Sequence, residues 1–372
     1  MASPANFSVY EKIRSTYWWV LNERSSDSLA KKISEELPRW LRARVRIPSL
    51  WARLFGCDVP SSSLASRVAL LDRSESIRLS ADGGKLIVSN SFGRGITIYS
   101  LGTKRNGAPD LVLQDAYFDE EKLHYAHGAV FVDSDNKYLA VGEYANTMMC
   151  LQAAGDTSEV SDASRLLWSV QGEKYGLDNP ADIAVHPSGS YLVVANRKEQ
   201  GLSFLALDDG FDGVPRLFSS LSVSALNQLG VAAPHGVCFS PDGEYLFVSH
   251  KAFALWGGDS GNSAVTVYHA NVNATSGITW DPCLIVDRGS DDLHHINIHP
   301  NLPLVAVTNS RGDLVLYAWD AQDCRLTVVG SVNVFRRGEG AKGVAFTRDG
   351  KYLAVTSELD EVLFFAVDNY LR

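Results

Sequence analysis

Three histidines stand at matched places in a repeating sequence. His127 and His235 each precede a glycine (HGAVF, HGVCF), and His294 opens HHINI in a segment of the same pattern. The matching place in three further segments holds Glu75, Ala181 and Lys342. Further along each segment a second matched set reads Asn90, Glu143, Asn196, His250, Asn309 and Ser357, with Tyr144, Arg197, Lys251 and Glu358 one residue later in four of them. Two chemistries suit these residues. Three imidazoles and a carboxylate, His127, His235 and His294 with Glu75 or Glu143, form the donor set of a divalent metal site with an open position for water. Alternatively, His127, His235 and Glu143 exchange protons with a bound small molecule while Lys342 stabilises anionic charge. Arg197, Asn196, His250, Asn309 and Tyr144 then form the surface that holds the molecule. The third reading is a hydrated polar channel whose side chains hydrogen-bond to one another.

The elements that would position these residues are strands. Each segment opens with a short apolar stretch (GVCF, GVAF) and a polar turn (SPDGE, TRDGK, HPSGS) that supplies Pro, Asp and Gly where a tight reversal needs them. A nearly continuous apolar strand follows (YLFVS, YLAVT, YLVVA), as suits a strand buried on both faces. A third strand (GITIYSL, LSFLAL, AVTVYHA, DLVLYAW, EVLFFAV) and an edge-like fourth (LVLQDAY, RLLWSV, CLIVDRG, LTVVGSV) complete the unit. Four antiparallel strands at this period are a propeller blade, and the unit occurs six times. The expected fold is therefore an all-β six-bladed propeller over residues 64–372. The last unit runs out after three strands, and a strand at about 66–73 (SRVALLDR) is expected to complete it and close the ring. Seven blades, the alternative, would need one hidden in residues 1–63, which do not alternate. That stretch reads as an N-terminal helical extension instead, capped at Ser8 and at Ser26/Asp27 and basic and amphipathic from Arg39. In a propeller the first strand of each blade lines the channel, and antiparallel pairing sets the end of the second strand beside its start. Both matched sets then lie at one channel mouth, with His295 and Asp182 in the next layer down.

The formal charge of −9 argues against nucleic acid as a partner. The charge is uneven: residues 1–55 carry ten Lys/Arg against five Asp/Glu, which leaves −14 on the rest. The basic N-terminal helices are expected to pack as a cap on the acidic propeller, or to dock on a protein or membrane surface. Five widely spaced cysteines without a CxxC suggest separate thiols in a reducing, cytoplasmic compartment. No nicotinamide or flavin fingerprint occurs. His294-His295-x-x-x-His299 resembles a metal motif, but a strand carries His299 to its far end, about 16 Å away. His299 and its counterpart His186 both precede proline and read as turn residues. The Gly-rich stretch Ala252–Ser263 reads as a channel lid or a plain loop.

The units PHGVCFSPDGEYLFVSHKA and KGVAFTRDGKYLAVTSELDEVLFFAVD resemble the repeats of lactonase-like propellers, the broad group of 6-phosphogluconolactonase-like, YVTN, NHL and SMP-30-like proteins. The resemblance lies at the level of the blade. It implies an active or binding site in the channel mouth and, among enzymes of the group, lactone hydrolysis or a related lyase or cyclisation step on a small metabolite. The acidic and Asn calcium ligands of SMP-30-like enzymes find no one-to-one match here, and six units stand where lactonase members usually have seven.

Overall fold

The computed structural model describes residues 73–103, 109–132, 137–153, 164–252, 262–273, 277–288, 292–334, 340–357 and 362–367. The chain divides into two units, Met1–Leu70 and Leu71–Arg372, and the described residues belong to the second. The expected helical extension with its cap, membrane or partner contact lies outside the described residues. So do the closing strand, except for Arg73, and most of the 252–263 loop.

Six antiparallel sheets form the described unit, five of four strands and a last one of three. The innermost strands are β1 (Ser74–Leu79), β5 (Ala126–Phe131), β9 (Pro180–Val185), β13 (Pro234–Phe239), β17 (Leu293–Ile298) and β21 (Ala341–Phe346). Each pairs with a second strand, respectively β2 (Lys85–Asn90), β6 (Lys137–Gly142), β10 (Tyr191–Asn196), β14 (Tyr245–His250), β18 (Leu304–Asn309) and β22 (Tyr352–Ser357). Neighbouring inner strands touch all the way round, β21 against β1 included, so the ring is closed and six-bladed.

The second strands show why the sequence reads as unbroken apolar runs. Successive side chains of a strand point to opposite faces, and here each face meets a different blade. Leu246 and Val248 pack with Val193 and Phe204 of one neighbour, while Phe247 packs with Ile296 and Val307 of the other. Fully burying one such side chain contributes about 1.5–3 kcal/mol. The hairpin between first and second strands follows its turn chemistry. The Ser80 hydroxyl donates to Asp82 Oδ1 at 2.5 Å, and the same oxygen accepts from the Gly84 amide at 2.9 Å. Gly83 takes φ +75°. His186 and His299 behave as the turn residues expected: their Nε2 atoms meet the carbonyls of Gly243 and Gly350 in the next blade's hairpin, at 3.2 and 3.1 Å.

The glycine in each HG pair serves the fold. A Cβ on Gly128 would lie 2.8 Å from Asp182 Cα, and one on Gly236 would lie 2.8 Å from the His294 carbonyl oxygen, because the next inner strand comes that close.

The cysteine expectation needs correction. Cys283, in β16 (Gly277–Asp287) of blade four, is disulfide-bonded to Cys324, just before β20 (Arg325–Asn333) of blade five. The residues are 41 apart in sequence, but the outer strands of adjacent blades bring their Cα atoms within 6.3 Å. Cys150 and Cys238 are buried thiols outside this disulfide.

Candidate functional site

The inner-strand set converges as the alignment required. Glu75, His127, His235, His294 and Lys342 are buried at one end of the channel, each 1–3% exposed. The His235 ring meets His127 and His294 edge to face, with centroids 4.8 Å apart in both cases. Lys342 Nζ stands 3.5 Å from Glu75 Oε2 and 3.2 Å from His294 Nε2.

The second set does not converge as aligned. Backbone pairing places Asn90, Gly142, Asn196, His250, Asn309 and Ser357 at equivalent sites, each opposite the first residue of its inner strand. Glu143 therefore belongs one residue later, with Ser91, Arg197, Lys251 and Ser310. A one-residue slip reverses the face a side chain takes. Each of these five donates its amide to the carbonyl of the residue just ahead of the inner strand: Arg73, Tyr125, Asn179, Ala233 or Asp292, at 3.0–3.1 Å. Four of those anchor residues (Arg73, Tyr125, Asn179, Asp292) hold positive φ between 54° and 62°, a conformation that costs non-glycine residues about 1–2 kcal/mol.

Asn196, His250 and Asn309, expected to bind substrate, are instead committed within their blades. His250 uses both ring nitrogens, Nδ1 on the Ala232 carbonyl at 2.7 Å and Nε2 with Thr266 Oγ1 at 2.8 Å. Asn196 donates to the Gly176 carbonyl and Ser203 Oγ and accepts from the Asp178 amide. Asn309 accepts from the amides of Arg311 and Asp313. These side chains tie the end of the second strand to the rest of the blade. Gly142 fills that place in blade two because a Cβ there would collide with the Lys122 carbonyl oxygen.

The residues that do reach the mouth are Glu143, Arg197, Lys251 and Ser310. Glu143 Oε1 is paired with Arg197 Nη1, and Glu143 Oε2 lies 3.6 Å from His127 Nε2. Lys251 Nζ is 2.6 Å from His294 Nε2, which also meets Ser310 Oγ at 2.6 Å, and 3.7 Å from Asp292 Oδ1. Tyr125 donates its hydroxyl to Glu75 Oε1 at 3.1 Å and packs with its ring tilted against Tyr144, 4.8 Å between centroids. Tyr144 is 43% exposed and forms the outer lip. Arg73, Tyr125, Asp292 and Ser310 were missed in the sequence. Their signal is positional: Arg73, Tyr125 and Asp292 each stand two residues before a ring residue.

The electrostatics separate acids from bases. Burial pulls all three histidines down, His127 to about 3 against the opposing pull of Glu75. His235 and His294 fall well below the usual imidazole range, helped by neighbouring cations and imidazoles. They are neutral at pH 7. The His235 Nδ1–H therefore donates to the His294 carbonyl at 3.0 Å, and Nε2 keeps its lone pair. Burial also raises Glu143, against Arg197. It acts in the same sense on Glu75, but Lys342, Arg73 and His127 outweigh it and hold that carboxylate well below its ordinary range. Burial, and then Lys342, bring the Lys251 amine down to about 7.

The metal set His127, His235, His294 and Glu75 does not fit a cation. Two lysine amines already surround His294 Nε2. Among the described residues no group of three or more His, Cys, Asp or Glu side chains is arranged to hold a metal ion.

One layer deeper, Asp182 and His295 meet a residue the sequence did not single out. Arg78 reaches across the channel from blade one. Its Nη2 donates to Asp182 Oδ2 at 2.7 Å and to the Val237 carbonyl at 2.9 Å, and its Nη1 reaches the His295 ring. The Val237 amide donates to the same Asp182 oxygen at 3.0 Å. Arg78, Asp182 and His295 are 6%, 1% and 3% exposed. Burial would raise the Asp182 carboxyl, but Arg78 and then His295 bring it down to about 2.

No protein-family profile matches the chain, and no curated protein matches it. Solved structures do. A Desulfotomaculum acetoxidans protein of unknown function matches with TM-score 0.51 and 14% identity over 80% of this chain and 83% of that one. A Bacteroides uniformis protein provisionally described as a 6-phosphogluconolactonase matches with TM-score 0.50 and 15% identity over 69% and 70%. Hydrazine synthase of Kuenenia stuttgartiensis matches with TM-score 0.50 and 13% identity over 80% and 96%. The chain resembles the 6-phosphogluconolactonase-like propellers at the level of the fold.

Proposed function

We propose that this protein is an enzyme that moves protons on a small anionic metabolite at the channel mouth, by lactone hydrolysis or a related lyase or cyclisation reaction. The observation that carries the reading is His235. A buried neutral imidazole, fixed through Nδ1 on a carbonyl and presenting the Nε2 lone pair among cationic side chains, is the arrangement of a positioned general base. Lys342, Lys251 and Arg197 supply positive charge for a substrate anion or a developing oxyanion. Glu143, raised by burial, is the candidate proton donor. The name of the Bacteroides uniformis neighbour makes a sugar lactone the first substrate to try.

The test is acid release from 6-phosphogluconolactone and from unphosphorylated gluconolactone, followed with a pH indicator. His235→Ala is expected to lower kcat/KM on the order of 100-fold or more, with an unchanged circular dichroism spectrum. Acid release no faster than spontaneous hydrolysis with both lactones, or full activity in His235→Ala, would refute the proposal.

A further inference from the structure

We propose that Lys251 is a carbonyl-capturing amine, which forms an imine with a small aldehyde or ketone that carries a carboxylate; this rests on the channel-mouth site proposed above. Two amines crowd one imidazole. The Lys251 and Lys342 amines approach the same nitrogen, His294 Nε2, at 2.6 and 3.2 Å. They therefore lie within about 6 Å of each other, close enough for each charge to oppose the other.

The two lysines are not equivalent. Lys342 has the buried Glu75 carboxylate at 3.5 Å as its partner. Lys251 has Asp292 Oδ1 at a longer 3.7 Å, on a side chain 35% exposed against 1% for Glu75. Arg197 adds further positive charge, while Glu75 pulls the other way. The burden of losing a proton falls on Lys251, which is 8% exposed, and its amine sits at about 7. A buried lysine beside a second cation is the setting in which an amine becomes a nucleophile at neutral pH.

The step balances. The neutral amine nitrogen attacks the carbonyl carbon, a C–N bond forms, and the carbonyl π pair moves to oxygen, which takes a proton. The nitrogen loses a proton, the oxygen is protonated again and leaves as water, and a protonated imine remains. Starting from the ammonium form, one positive charge enters with the amine and one stays on the imine. The imine draws electrons from the adjacent carbon, so that a C–H bond there can break, with its electron pair entering the carbon framework and its proton passing to His235 Nε2. The carboxylate of the substrate meets the positive charge of Lys342 and Arg197.

The experiment uses pyruvate, the simplest molecule of this class. The full chain is incubated at pH 7 with pyruvate and sodium cyanoborohydride, and reduced adducts are mapped by peptide mass spectrometry. Labelling of Lys251 is expected to exceed that of the exposed Lys351, since at pH 7 an amine at about 7 has a neutral fraction on the order of 1,000-fold above that of an ordinary lysine at about 10.4. It should disappear from that peptide in Lys251→Arg, whose thermal melting checks the fold. Labelling of Lys251 no faster than of Lys351 would overturn the proposal, and so would preferential labelling of Lys342. If Lys251 stays unlabelled while His235-dependent lactone hydrolysis is present, the imine falls and the proton-transfer function stands. If neither is seen, both fall.

Discussion

The Arg78 strut makes a stability prediction whose size follows from its contacts. Arg78→Met keeps a long apolar stem but removes the cation from a buried carboxylate and the donor from the Val237 carbonyl. Asp182 keeps the Val237 amide and His295 but loses its main compensating charge. Breaking a buried pair from one side costs about 3–5 kcal/mol. For a propeller of this size that is a fall in Tm of about 5–8 °C. The pH dependence gives a second readout. The folded Asp182 carboxyl, at about 2, lies below its ordinary 3.8. Its contribution, roughly 2 kcal/mol, is present above the ordinary value and is lost as pH falls through about 2. Without Arg78 the buried carboxyl is pushed upward and is more stable protonated. The gap between wild type and variant should therefore narrow between pH 7 and pH 4. Urea unfolding followed by circular dichroism at several pH values measures this, and Asp182→Asn in the Arg78→Met background should recover at least half of the loss. A loss below about 1 kcal/mol, or a gap that does not change with pH, would show that Arg78 does not hold the blades together.

Three further expectations rest on other parts of the fold. Gly142→Ala should destabilise the protein by more than about 2 kcal/mol in urea unfolding, through overpacking against the Lys122 carbonyl; an unchanged midpoint would refute the register assigned to blade two. Cys283→Ser with Cys324→Ser should cost up to about 4 kcal/mol, the chain-entropy value for a 41-residue separation. Wild type melted with dithiothreitol should match that variant, and a mass spectrum showing both thiols free in the purified protein would contradict the pairing. Elemental analysis by inductively coupled plasma mass spectrometry should find no stoichiometric metal that depends on His127 and His235. A metal lost in His127→Ala with His235→Ala would overturn the assignment of His294 Nε2 to the two lysines.

The blade was legible because its signals are local. Turns such as SPDGE and runs such as YLFVS each encode one hairpin, and repetition made the count secure. The inner ring was legible for the same reason: Glu75, His127, His235, His294 and Lys342 follow directly from aligning the first strands. The next layer of detail depended on register. In blade two the tie residue is a glycine, so Glu143 looked like the counterpart of Asn196 and His250 when it is the counterpart of Arg197 and Lys251. The side chains that actually face the mouth were thus partly exchanged with those that brace the blades. Arg78 and the Cys283–Cys324 pair were illegible for a different reason. Each joins residues on separate blades, and nothing within one repeat records what the neighbouring repeat offers.

The strut has a consequence for traffic. With Arg78 spanning from β1 to Asp182 and His295, the axial passage is a cup with a floor. Under the proposed function, a molecule acted on at His235 would enter and depart by the same opening, past Tyr144. Occupancy is then exclusive, so that product still in the cup excludes the next substrate. Such an enzyme should show product inhibition that rising substrate concentration overcomes.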